Sequence, residues 1–187
     1  YWALQKNTTG HSNTANGSHA LYNNTTGAYN VANGYVALYN NTTGNNNVAN
    51  GFYALYNNTA GYDNTANGLQ ALYSNTGGVG NVGIGYKTGQ NNSTGSYNTF
   101  LGYNAYSSGS YNYSTAIGYN AYTTTSNQIM LGRSSETVVV PGSIEARKDA
   151  DGLHYLSRMV IGSNTSGAGT DNAIIGHYNN VNNTANG

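Results

Sequence analysis

The residues with chemistry to offer are six carboxylates (Asp63, Glu136, Glu145, Asp149, Asp151, Asp171), four histidines (His11, His19, His154, His177) and many serines. Asp149 and Asp151 stand close enough for paired-acid cleavage of a glycosidic bond, in which one carboxyl protonates the leaving oxygen and the other acts as base or nucleophile. A solvated charged turn is the simpler account of them. The histidines have no metal-ligand spacing, and His11 and His19 occupy variable positions of a repeat, as surface residues do. Gly78-Val79-Gly80 with Gly83 and Gly85 superficially resembles a phosphate loop, but the Lys-Ser/Thr and the strand-to-helix setting of one are missing. No Ser-His-Asp arrangement stands out, and Gly-Gly-x-Gly-x-Asp calcium nonapeptides are absent. With no cysteine there is neither a thiolate metal site nor a disulfide. The sequence reads as a non-enzyme with no cofactor and no metal.

The elements that would have to position any site are copies of a single unit. The stretch from Ala37 to Gly51 belongs to a pattern that returns every 17 residues. Leu4, Leu21, Leu38, Leu55 and Leu72 fall on that period, as do Gly10, Gly27, Gly44, Gly61 and Gly78, and a second glycine series from Gly17 to Gly102. A fixed period of about 20 residues marks a stacked architecture, in which one copy cannot bury a core alone.

Composition agrees with a stack. Charged residues make up 6%, against about 25% in ordinary domains. Low hydrophobicity brings disorder when it is joined to high charge and few aromatics. Here the net charge is zero, Tyr occurs 19 times and the polar residues are periodic, so order is expected. The neutral balance leaves no basic footprint for nucleic acid and no basic amphipathic helix for a membrane surface. No apolar run approaches the roughly 18 residues that span a bilayer, so direct membrane insertion is not expected either. No signal peptide is visible and the first residue is Tyr1, which reads as part of something longer.

Residues 1–85 hold five copies, each expected to run strand, turn, strand, turn. Ala-Leu-Tyr is a short run with alternating faces, Asn-Asn-Thr-Thr-Gly is a cluster of turn residues, and Asn-(Thr/Val)-Ala-Asn is a second extended segment. Frequent Gly and Asn oppose helix. The expected fold is all-β: a parallel β-roll or β-solenoid of stacked 17-residue coils, later 14–17. At about 4.8 Å between coils every position becomes a ladder. Leu21, Leu38, Leu55 and Leu72 are expected to form an apolar core column, with Ala20, Ala37, Ala54 and Ala71 as a narrower one. Tyr22, Tyr39, Tyr56 and Tyr73 form an aromatic column on the face opposite Ala, either a contact surface or packing for a neighbouring coil or chain. Asn16, Asn33, Asn50 and Asn67 form an amide column bonded up and down the stack.

From about residue 79 the unit changes. Ile84, Leu101, Ile117 and Leu131 replace the amide of the Asn16 position, and the glycine spacing loosens to 16 and then 14. This predicts a drier, apolar-cored version of the same coil. Residues 133–158 hold eight of the twelve charged residues and the β-branched run Thr137-Val138-Val139-Val140 before Pro141-Gly142. The domain reading is therefore a repeat β-solenoid over 1–132, a charged strand-turn connector over 133–158, and a second solenoid segment over 159–187. Thr184-Ala185-Asn186-Gly187, joined to Tyr1-Trp2-Ala3-Leu4, matches Val48 to Leu55, and 187 is a whole multiple of 17. One reading is a single period of a longer array, continued covalently or head to tail; the other is a fragment cut at convenient glycines.

The segments Ala116-Ile117-Gly118, Met130-Leu131-Gly132 and Ile174-Ile175-Gly176, with the Asn-Thr-Thr-Gly turns, resemble the head repeats of YadA-type trimeric autotransporter adhesins and of related phage and viral tail fibres. The resemblance implies that each repeat is one coil of a left-handed parallel β-roll, that three chains pack side by side, and that the assembly adheres to a surface. Gln128 to Gly132, running on to Val140-Pro141-Gly142, is similar to the way such arrays end. The likeness covers most of the chain outside 143–158. The repeat here is longer than the family's, its apolar position is Asn in the first half, and there is no heptad stalk or barrel anchor.

The leading expectation is an extracellular structural or adhesive fibre, on a cell or virion surface, assembling lengthwise with copies of itself. The alternative is the receptor-binding head of a trimeric adhesin or tail fibre, with a host-surface protein or glycan as partner. An ice-binding solenoid comes third: it wants a flat Thr array, and the column Thr9, Thr26, Thr43 is broken at Ala60 and Gly77. Asn-x-Ser/Thr acceptors recur at Asn7, Asn24, Asn41, Asn92, Asn112 and Asn164, either as glycosylation sites or as repeated turn chemistry.

Overall fold

A computed structural model describes residues 1–133 and 135–139. The described chain is all-β, with no helix, and its parallel strands stack into a β-solenoid of about seven turns. One strand comes from each coil: β1 (Thr14–Asn16), β2 (Val31–Asn33), β3 (Val48–Asn50), β4 (Thr65–Asn67), β5 (Val82–Ile84) and β6 (Thr99–Leu101). Then come β7 (Tyr106–Ser107), β8 (Thr115–Ile117), β9 (Tyr122–Thr123) and β10 (Ile129–Leu131). The main sheet runs β1-β2-β3-β4-β5-β6-β8-β10, and β7 pairs with β9 in a second sheet. Pairing is in register with the repeat: Ala15 faces Ala32, then Ala49, Ala66, Gly83, Phe100, Ala116 and Met130 in turn.

Only the Asn-(Thr/Val)-Ala-Asn segment makes the expected strand. Ala-Leu-Tyr is a turn, because Leu21, Leu38, Leu55 and Leu72 are left-handed, with φ between 49° and 52°. The residue two before each is left-handed as well, as at Val36 and Tyr53. This bends the chain so that adjacent residues, Ala37 and Leu38 for example, both enter the core and both are fully buried. A left-handed non-glycine residue costs about 1–2 kcal/mol. Burying a Leu side chain contributes about 1.5–3 kcal/mol, which offsets it. The backbone stays paired through the turn, with the Leu38 amide donating to the Ala54 carbonyl at 3.0 Å.

The core is narrow, built from the Leu column, the Ala20 column and the middle residues of the strands. At its centre the packing is exchanged. Gly89 follows Leu72 on the period, and the ring of Phe100 occupies the space a side chain there would take, while Gly83 leaves room for Leu72. Phe100 is the largest fully buried side chain among the described residues.

The expectation of a drier interior after residue 79 is overturned. Side chains alternate across a strand, and the middle residue is the one that points inward. Ile84, Leu101, Ile117 and Leu131 are flanking residues, 40%, 41%, 37% and 46% exposed. They replace outward amides, so the apolar change lies on the surface. The β-branched run beyond the coils makes no strand over Thr137–Val139, and Val138 and Val139 are exposed. The rest of the connector, the 159–187 segment and the join to residue 1 lie outside the described residues.

Candidate functional site

Among the described residues, none of those first considered for chemistry forms a reactive group. Asp63 is exposed and accepts a hydrogen bond from Asn46 at 3.0 Å. Glu136 pairs with Arg133 at 3.5 Å. Glu145, Asp149, Asp151, Asp171, His154 and His177 lie outside the described residues. Among the described residues no cluster of three His, Cys, Asp or Glu could hold a metal ion, and no helix is long and apolar enough to cross a membrane.

What the coils do build is ladders, two of them internal. Asn24, Asn41, Asn58 and Asn75 each donate through Nδ2 to the Oδ1 of the Asn one coil earlier, at 2.7–2.8 Å. In a second column Asn47, Asn64 and Asn98 donate both backbone N–H and Nδ2 to the Oδ1 one coil back. The two ladders converge on shared carbonyls: Gly44 accepts from Asn41 at 3.0 Å and from Asn30 at 2.8 Å. That explains the glycine, since a Cβ at Gly44 would overlap Asn41 Oδ1 and the Gly61 carbonyl. The amide bonds of the first ladder end at Asn75, whose Oδ1 accepts from Asn81 at 3.4 Å; Gly109 stands in place of the Asn after Asn92, and Asn92 Oδ1 is left without a hydrogen-bond partner.

These buried columns went unrecognised in the sequence, where the Asn16 column was read as the amide ladder. Asn33 does donate to Asn50 at 2.9 Å, but Asn16 and Asn67 are exposed and Asn33 and Asn50 only half-buried. The distinguishing signal was persistence. The Asn24 column continues to Asn92 and the Asn30 column to Asn98, past the point where Asn67 gives way to Ile84. Burial also decides the glycosylation question at three acceptors: Asn24, Asn41 and Asn92 are fully enclosed, whereas Asn112 is exposed. Asn164 lies outside the described residues.

The outer faces carry three kinds of ladder. Tyr22, Tyr39, Tyr56 and Tyr73 stack face to face at 5.1, 5.3 and 5.4 Å with rings within 9° of parallel. Packing thus uses the ring faces of this column, and the rings stay half-buried. A polar ladder lies beside it. Thr8, Thr25, Thr42, Thr59 and Thr76 form an unbroken column whose hydroxyls donate to the carbonyl one coil on, at 2.8–3.0 Å. From Thr25 to Thr76 this column lines, with Lys6, Asn23, Asn40 and Asn57, an open trough of about 550 Å³. The third ladder is Ile84, Leu101, Ile117 and Leu131, flanked by the stacked rings of Tyr86, Tyr103 and Tyr119 at 4.8 and 5.5 Å. His19 is not a plain surface residue: it is half-buried among Trp2, Tyr22, Tyr35 and Tyr39.

Burial, and then repulsion from the neighbouring phenols of Tyr39, Tyr73, Tyr53 and Tyr35, raises the Tyr56 phenol above its ordinary value of 10.0. The folded chain therefore holds this proton more tightly than the unfolded chain does. Its contribution to stability is fully present below pH 10.0 and is lost as pH rises through the higher folded value. Denaturant unfolding on either side of that pH is expected to show the loss, and Tyr56→Phe to reduce it.

Comparison with protein-family models, curated proteins and solved structures finds no match for this chain.

Proposed function

We propose that the chain is a non-enzymatic structural or adhesive fibre protein working outside the cell, on a cell or virion surface, its coils continuing lengthwise from one unit to the next. The observation that carries this is the constancy of coil-to-coil bonding. Val31, Val48, Thr65 and Val82 donate to Asn47, Asn64, Asn81 and Asn98 in succession, each at 2.8 Å. A further unit of the same sequence, from this chain or another copy, meets the same donors and acceptors. The ladders give such a fibre its lateral faces, neutral and rich in Tyr, Asn and Thr, a composition suited to contact with proteins or glycans.

A second reading is supported by a different observation. The outward ladder from Ile84 to Leu131, with Leu69, Tyr103 and Tyr119 also exposed, is an apolar stripe of the kind that marks an interaction surface. It favours side-by-side packing, as in the head of a trimeric adhesin or tail fibre of the YadA kind.

Electron microscopy with mass measurement tests both. Long uniform filaments are expected for lengthwise growth, and discrete three-fold knobs for the trimeric head. A single 19.6 kDa particle that neither elongates nor trimerises would sink both.

A further inference from the structure

One of the irregular places of the repeat lies around Val36. Trp2, His19, Val36, Tyr53 and Gln70 occupy one left-handed column, with φ of 57°, 59°, 50°, 59° and 56°. Four of the five carry long or aromatic side chains, and Val36 is short. It is also β-branched, the type least suited to a left-handed backbone, and strain of that kind gathers at functional sites. The adjoining column is irregular one coil earlier. Tyr35 stacks on Phe52 at 5.2 Å, but one coil earlier Ser18 stands where a ring would cover its other face.

Between the larger side chains of His19 and Tyr53 lies a notch of about 210 Å³ lined by His19, Tyr35, Val36, Tyr39, Tyr53 and Tyr56. No charged side chain lines it. The His19 ring is held by Ser18, with Oγ 2.8 Å from Nδ1, so Nε2 is the nitrogen left to meet a ligand. Drug-sized ligands need about 300–1,000 Å³, so this space suits one small ring. Tyr rings, phenolic hydroxyls and a fixed imidazole, with no carboxylate, Lys or Arg among them, match a pyranose: its C–H face lies on an aromatic ring, and its hydroxyls exchange hydrogen bonds with the polar groups.

We propose that this notch binds a single neutral hexopyranose unit, such as the terminal residue of a glycan. The inference rests on the adhesive reading for its biological meaning, but it does not depend on how the coils assemble.

The test is an NMR titration of the whole chain with the methyl glycosides of glucose, galactose, mannose and N-acetylglucosamine, alongside Val36→Tyr and Tyr35→Ala. Val36→Tyr fills the notch with the residue the next coil already carries at the same left-handed position, so folding is expected to survive. At least one glycoside should shift His19, Tyr35 and Val36 resonances saturably, and each substitution should weaken binding by about tenfold or more. No saturable shift from any of the four, or equal binding by Val36→Tyr, overturns the proposal. Light scattering on the same samples separates the two ideas. Filaments or trimers without sugar binding sink this site and leave the fibre reading standing, whereas sugar binding by an isolated chain does the reverse.

Discussion

Asn58→Leu is expected to destabilise the solenoid by about 4 kcal/mol, while Asn50→Leu, eight residues away in the same coil, changes stability by less than about 1 kcal/mol. Asn58 is fully enclosed, donating to Asn41 Oδ1 at 2.8 Å and to the Gly61 carbonyl at 2.9 Å, and accepting from Asn75 at 2.8 Å. Removing its amide does not orphan Gly61, which still accepts from Asn47 at 2.8 Å. It does orphan Asn41 Oδ1 and one N–H of Asn75. Each buried group left unmet costs about 1–3 kcal/mol, beyond the bonds themselves, and neither can reach water. Asn50 faces outward and half-exposed, and the same column carries Ile84 and Leu101 two and three coils later. Thermal or denaturant unfolding of the two variants side by side decides the matter. Equal losses would mean that the enclosed ladder has no special role in holding the stack.

The contrast between these two asparagines shows where the sequence could be read and where it could not. Periodicity reports which residues stack, because identical spacing forces identical placement, and so the Leu column and the β-solenoid followed from the 17-residue repeat. It does not report which side of the wall a column lies on. Asn50 and Asn58 repeat equally well, and the change from Asn to Ile or Leu in the Asn50 column reads as an interior event until the left-handed turn at Leu38 and Leu55 is known. Leu is an uncommon residue in that conformation, and nothing in its local sequence announces it. Once the turn is known, the alternation about Ala49 places Asn50 outside, and the amide-to-Ile change becomes a surface event. The notch at Val36 was hidden for a related reason: its walls, from His19 to Tyr56, come from three coils and meet only after the chain has coiled.

The outward Ile and Leu ladder carries the second large effect. Replacing Ile84, Leu101 and Ile117 together by Asn, the residue the first four coils hold in that column, is expected to weaken self-association by about two orders of magnitude. Each of these side chains is roughly 40% exposed. Covering what remains is worth about 1 kcal/mol per side chain at 25 cal/mol per Å², and 1.4 kcal/mol is a factor of ten in affinity. The core should not notice, because Gly83, Phe100 and Ala116 are the residues of β5, β6 and β8 that point inward. Unfolding of the dilute chain therefore changes little while the mass distribution shifts to smaller species, as sedimentation over a range of concentrations would show. The converse triple, Asn33→Ile with Asn50→Ile and Asn67→Ile, extends the stripe across β2, β3 and β4 of the same sheet and should strengthen association. An unchanged mass distribution in both variants would remove the apolar stripe from any account of assembly.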